Sequence, residues 1–270
     1  MNASISTLRE QRARVLSFEG GCNFRDIGGY RTQEDRCVRW GRVYRTGVLS
    51  YFTANDHRGL VELGVRAICD LRRADERDRE PTRWPDAAAE ALHWNDGSIP
   101  PTLHAFAANR PNTAAGMFDA MVELYRALPA WMGERISGMF ECLAAGRTPL
   151  VVHCAAGKDR TGLAVAVLLR ALGVPRETVI HDYLLTNDVG DFEQFIRARH
   201  AAQLGLADAQ HPLLAMPEDV RRVLFSADAA FLETAFEEID TAHGGLDAYL
   251  EHTAGVTAAR LARVRDALLE

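Results

Sequence analysis

"PLVVHCAAGKDRTGLAVAVLLRALG", residues 149–173, sets Cys154, Lys158, Asp159, Arg160 and Thr161 between two apolar stretches. The first, "PLVV", is short, rich in β-branched residues and bounded by Pro149, which suits a fully buried central strand. The second, "RTGLAVAVLLRALG", is apolar on nearly every side and closes at Gly173, the pattern of a buried helix with its C-terminal glycine. The polar residues between them form a strand-to-helix loop. In open α/β sheets, ligands bind at such loops, beyond the carboxyl ends of the strands.

Working outward, strand-like and helix-like segments alternate. "CVRWGRVYRTGVLS" (37–50) alternates apolar and polar residues as a half-buried strand does. "TANDHRGLVELG" (53–64) reads as a helix with Thr53 as N-cap and Gly64 as its stop. "VRAICDL" (65–71) and "EALHWNDG" (90–97) read as further strands, with the charged run "RRADERDREPTRWPD" (72–86) between them as a solvated helix and loop. Segments 114–129 and 130–146 carry 3.6-residue periodicity and end at Pro129 and Gly146, which predicts two consecutive helices. Beyond the central motif, helical patterns run through "PRETVIHDYLLTN", "DFEQFIRARHAAQLG", "PEDVRRVLF", "ADAAFLETAFEEIDTAHGG", "GLDAYLEH" and "TAARLARVRDALLE". This order predicts one α/β domain over 1–270: a mainly parallel central sheet flanked by helices on both faces, with a helical C-terminal cap.

Composition bounds the function. With 47% hydrophobic and 25% charged residues, the chain reads as an ordinary globular protein. A formal net charge of -6 argues against a nucleic-acid binder built on a broad basic face, but allows a small basic pocket. Cys22, Cys37, Cys69, Cys142 and Cys154 form no CxxC pair and no zinc-ligand spacing, and an odd count suggests reduced thiols. The N-terminus lacks the pattern of a signal peptide and no apolar run approaches a membrane span, so the expectation is a cytoplasmic protein, or one exported without such a signal, with no stable membrane insertion. Nothing indicates an oligomeric state.

The loop's chemistry follows from its place. A helix N-terminus presents unpaired N–H groups and the positive end of the helix dipole, which together attract an anion. Ala155, Ala156 and Gly157 carry little side chain to block such a cradle, and Arg160 reaches across the curled loop to hold two oxygens of a tetrahedral oxyanion. The preferred ligand is therefore phosphate, with Lys158 and Gly162 completing the binding stretch. Helix N-termini and neighbouring cations favour the thiolate, the nucleophilic form of cysteine, so Cys154 is the candidate nucleophile against a bound phosphoryl group. Thr161 donates a hydroxyl hydrogen to the sulfur and eases its departure, while His153 orients the loop. No metal or organic cofactor is called for.

Taken as a whole, "HCAAGKDRTG" resembles the signature of the Cys-dependent protein tyrosine phosphatase superfamily. Its Lys158–Asp159 pair is similar to that of the bacterial dual- and triple-specificity branch. "NFRDIGG", "YRTGVLS", "DLRRADE", "LAAG", "HDYLLTN" and "GGLDAYL" stand in the order of that branch and extend the resemblance over nearly the whole chain. The resemblance implies hydrolysis of phosphotyrosine, with phosphoserine, phosphothreonine and phosphoinositides as further substrates, so the expected partner is a phosphorylated protein or a phosphoinositide. It also implies inserted helices over the site, which would fall at about 100–147, although the Met and aromatic content there equally suits a core. For multiply phosphorylated substrates it makes Lys158 a second cation.

Phosphoester cleavage also needs an acid that protonates the leaving oxygen. The resemblance favours Asp159. Asp70, at the end of the "AICDL" strand, is an alternative, though an Asp beside Arg72 is as often a structural ion pair. Asp86 of the literal "WPD" and Asp96 of "HWNDG" also compete. Arg25 and Asp26 are expected to pair beneath the site, Tyr183 to pack, and Asp182 to act only as support. Two other classes stay open: a non-catalytic phosphate-binding module and a rhodanese-type sulfurtransferase, the latter disfavoured by Arg160 and Thr161.

Overall fold

The structure is a computed structural model that describes residues 14–84, 89–95, 101–205 and 211–270. Asp86 and Asp96 lie outside the described residues. In chain order come β1 (Arg25–Asp26), β2 (Val43–Thr46), α1 (Ala54–Glu62), β3 (Ala67–Asp70), α2 (Ala74–Arg79), β4 (Glu90–Leu92), α3 (Leu103–Ala107), α4 (Ala114–Ala144) and β5 (Leu150–His153). A helical second half follows: α5 (Asp159–Ala171), α6 (Arg176–Leu184), α7 (Thr186–Val189), α8 (Phe192–Leu204), α9 (Glu218–Phe225), α10 (Ala229–Ala242), α11 (Leu246–Ala248) and α12 (Ala258–Leu268).

The five strands lie in the order β1-β2-β5-β3-β4. β5 runs between β2 and β3 and parallel to both, β4 is parallel to β3, and only the edge pair β1–β2 is antiparallel. The expected mainly parallel α/β sheet is therefore what forms. β5 is apolar along its length because both of its faces are covered. Leu150 and Val152 enter a large core with α4, α5 and α10, whereas Val151 points to a second core of Phe24, Tyr44, Leu49, Leu60 and Ile68. Strand side chains alternate between faces, so a strand between two cores shows no polar side.

One expectation is corrected. Residues 114–144 form a single helix of 31 residues with Pro129 inside it, not two helices. An internal proline removes one backbone hydrogen bond and costs about 3 kcal/mol. Met121, Tyr125 and Leu128 before it, and Met132, Ile136, Met139, Phe140 and Leu143 after it, are all buried. Each such side chain contributes about 1.5–3 kcal/mol on burial, so keeping both halves in one register outweighs the proline. That burial also places α4 in the core. Helices α10 and α12 pack on it, and among the described residues no helix is long and apolar enough to cross a membrane.

Candidate active site

β5 ends at His153 and α5 begins at Asp159, so Cys154 to Lys158 form the turn at the centre of the sheet's carboxyl edge. The carbonyls of that turn are held away from its hollow. The Ala155 carbonyl accepts from the Val48 N–H at 3.1 Å, and the Gly157 carbonyl accepts from Asn23 Nδ2 at 2.9 Å and from Arg45 Nη2 at 3.1 Å. Gly157 adopts φ +68°, and a Cβ there would lie 2.4 Å from the carbonyl carbon and oxygen of Thr46. Only glycine allows this approach. The N–H groups of residues 155–160 find no acceptor among the described residues. Cys154, 2% exposed, leads directly into this run of free donors, an arrangement that suits a small multivalent anion.

Arg45 is fixed in turn. Its Nη1 donates to Asp182 Oδ2 at 2.8 Å, while Asp182 also takes the Tyr30 hydroxyl at 3.0 Å and Arg25 Nε at 3.4 Å. Burial alone would raise the Asp182 carboxyl, but Arg25 and Arg45 overrule it and hold it at about 2. Arg25 and Asp26 do not pair with each other as expected. Arg25 turns to Asp182 and Asn23, and Asp26 accepts from the Gly28 and Gly41 amides at 2.7 and 2.6 Å. Adjacent strand residues point to opposite faces, which rules out a shared side-chain contact at this spot.

The site residues singled out in the sequence occupy distinct places. Arg160, in the first turn of α5, is gripped at both terminal nitrogens by Glu76 of α2, at 2.6 and 2.9 Å. Asp159 Oδ1 accepts from Lys158 Nζ at 2.7 Å and from the Tyr125 hydroxyl of α4 at 2.8 Å. Lys158 is buried, and its Nζ also donates to the Ser226 carbonyl at 3.2 Å. The Thr161 hydroxyl is buried with no hydrogen-bond partner among the described residues. Gly162 lies away from the hollow, where a Cβ would meet the Tyr183 ring at 2.9 Å.

Asp70 is held differently. Oδ1 takes Arg72 Nε at 2.9 Å, and Oδ2 takes Arg72 Nη2 at 2.7 Å and the Thr82 hydroxyl at 3.0 Å. Burial would raise this carboxyl, but His153 and Arg72 pull it well below the usual range. His153 lies with Nε2 3.5 Å from Asp70 Oδ2, and burial lowers its proton affinity. Both groups brace the end of the sheet.

Helices α8 and α9 roof the loop. A cavity of about 150 Å³ lies between Ala156, Lys158 and Asp159 below and Phe192, Phe195 and Phe225 above. The roof is tied down through Glu80, whose carboxylate takes Arg199, the Tyr51 hydroxyl and, at 2.9 Å, Gln203 Nε2. Sequence reasoning missed Glu76, Glu80 and Tyr125. The first two are hidden within the charged run 72–86, and the third in an apolar helix face.

A central parallel strand delivering a Cys-x5-Arg loop with unpaired amides to a helix N-terminus fits a phosphate-handling α/β enzyme. Comparison with known proteins narrows this class. The sequence profile described as "Tyrosine phosphatase family" matches residues 16–270, and the chain belongs to that family, whose members are phosphoric monoester hydrolases. It is 33% identical over 254 residues to a Cupriavidus necator protein that bears a tyrosine-protein phosphatase name, covering 91% of this chain and 86% of that one. To the triple specificity protein phosphatase PtpB of Mycobacterium tuberculosis it is 30% identical over 287 residues, covering 94% and 99%.

Proposed function

We propose that the chain hydrolyses phosphomonoesters in two steps through a cysteinyl-phosphate on Cys154, with phosphotyrosine as the first substrate class. Cys154 Sγ attacks phosphorus in line, the bond from phosphorus to the leaving oxygen breaks, and Asp159 passes its proton to that oxygen. Water then attacks the cysteinyl-phosphate, Asp159 takes a proton from it, the S–P bond breaks and inorganic phosphate leaves. The amides of Ala155 to Arg160 and the Arg160 guanidinium bind the phosphoryl oxygens in both steps and meet the charge that develops on them. Thr161, whose buried hydroxyl has no hydrogen-bond partner among the described residues, stabilises the departing sulfur.

The observation that carries this reading is that the Ala155 and Gly157 carbonyls are engaged by Val48, Asn23 and Arg45, while the N–H groups of the loop that follows Cys154 find no acceptor among the described residues. Asp159, its carboxylate a quarter exposed, serves as the acid better than Asp70, whose two oxygens are both engaged by Arg72. The triple specificity in the mycobacterial relative's name supports extension beyond phosphotyrosine, with phosphoserine, phosphothreonine and phosphoinositides as the further classes to test. For a second phosphate, Lys158 must leave Ser226, so such substrates require the roof to lift.

The test is rapid quench of wild type and Asp159→Asn with a phosphotyrosine peptide, followed by intact-mass analysis. A phosphate adduct on Cys154, absent in Cys154→Ser, is expected. Turnover by Cys154→Ser at the wild-type rate would overturn the reading.

A further inference from the structure

Tyr125 lies at the middle of α4, distant in sequence from the loop, and its ring is wedged against Tyr183 at 6.2 Å and Phe231 at 5.6 Å between centroids. That packing leaves the hydroxyl one direction. It stands 2.8 Å from Asp159 Oδ1 and 2.6 Å from the Tyr183 hydroxyl, with both tyrosines buried. A phenol has one proton to donate, and an ionised carboxylate only accepts. The chain of bonds therefore runs one way, from Tyr183 to Tyr125 to Asp159. Burial first, and the Asp159 charge next, raise the Tyr125 phenol well above its ordinary value, so it keeps its proton throughout.

Among the described residues, both hydrogen bonds to the Asp159 side chain fall on Oδ1, from Tyr125 and from Lys158. Oδ2 is left as the oxygen that carries the transferable proton. A carboxylate at the first turn of a helix otherwise rotates freely, and a proton donor must be held within hydrogen-bond reach of its target. We infer that Tyr125, backed by Tyr183, is a positioning residue for the general acid: it clamps Oδ1 so that Oδ2 faces the leaving oxygen. The inference rests on the assignment of Asp159 as the acid proposed above. Gly162 fits the same device, since any side chain there would displace the Tyr183 ring.

A clamp on the acid predicts a signature that a loosened core does not. Phenyl phosphate needs its leaving oxygen protonated, whereas p-nitrophenyl phosphate releases p-nitrophenolate, a stable anion. Tyr125→Phe keeps the ring and removes the hydroxyl. It is expected to lower kcat/KM about tenfold for phenyl phosphate but only about twofold for p-nitrophenyl phosphate. Tyr183→Phe should show the same pattern more weakly, and it carries the test if Tyr125→Phe proves poorly folded. Asp159→Asn, measured beside them, separates the two claims. If it loses both esters alike, the acid assignment falls and this inference with it. If it discriminates between the esters and the tyrosine variants do not, only the clamp is overturned.

Discussion

Glu76 faces Arg160 end-on, with one carboxylate oxygen to each terminal guanidinium nitrogen. This contact leaves the Nε edge of Arg160 as the one that can meet a phosphoryl group. Glu76 is itself fixed, because Oε2 accepts the Arg73 N–H at 2.9 Å at the start of α2. Burial alone would raise its carboxyl, but Arg160 and then the Arg73 amide hold it at about 2. Glu76→Gln keeps the shape and loses the charge that orients the guanidinium. The expected outcome is a fall in kcat/KM of about 10- to 100-fold, roughly the effect of 1.4–2.7 kcal/mol, with weaker inhibition by inorganic phosphate. An unchanged inhibition constant for phosphate would show that Arg160 needs no such support.

The buried carboxylates set the acid limit of the fold. Asp182 and Glu76 are each held at about 2, and Asp70 lies below the usual range. Their folded affinities for protons are depressed, so the stability they contribute is complete above the unfolded carboxylate range of about 4 and is lost as pH falls through it toward about 2. Melting temperature should decline gently below about pH 6.5, where His153, held neutral by burial, would gain a proton on unfolding, and then drop steeply below about pH 5 as these carboxylates are titrated. Asp70→Asn should lower the melting temperature at pH 7 and flatten that drop, while the surviving folded enzyme keeps its preference between aryl esters. Loss of that preference would instead make Asp70 the acid.

How much of this was legible in the sequence depends on whether a signal is local. The strand, loop and helix around Cys154 were readable because a buried β-branched run and a helix closed by Gly173 flank them directly. Pro129 misled for the opposite reason: its cost is local, but the burial that overrides it comes from α10 and α12, far along the chain. Glu76 sits in a run of charges whose solvated reading was sound for most of its members. Which acid turns inward is decided only by where α2 lands after β3. The separation of Arg25 from Asp26 was available in principle, since neighbours on a strand cannot share a face.

The roof over the loop supplies another prediction. Glu80 joins Arg199 and Gln203 of α8 to Tyr51, and Cys154 lies beneath at 2% exposure. Glu80→Gln weakens the Arg199 contact without altering the Glu80 carbonyl that Arg72 and Ser50 use at 2.7 and 2.9 Å. Alkylation of Cys154 by iodoacetamide should then proceed severalfold faster, and saturating phosphate should slow it in both proteins. An unchanged rate would mean that α8 does not limit access.

The sharpest test of the loop compares two glycines with the same backbone strain. Gly157 and Gly64 have φ of +68° and +62°, and each would cost an alanine about 1–2 kcal/mol in this region. At Gly64 nothing lies within 4 Å of the added Cβ, so Gly64→Ala should lower stability modestly and leave kcat/KM unchanged. At Gly157 the Cβ would lie 2.4 Å from the Thr46 carbonyl and 2.5 Å from the Gly47 nitrogen, both backbone atoms that cannot step aside. The loop must shift instead, which frees the Gly157 carbonyl from Asn23 and Arg45 and turns it toward the anion. Gly157→Ala should therefore remain folded yet lose at least about 100-fold in kcat/KM, and phosphate should no longer protect Cys154 from alkylation. Retained phosphate protection in Gly157→Ala would show that the cradle of amides does not bind the phosphoryl group.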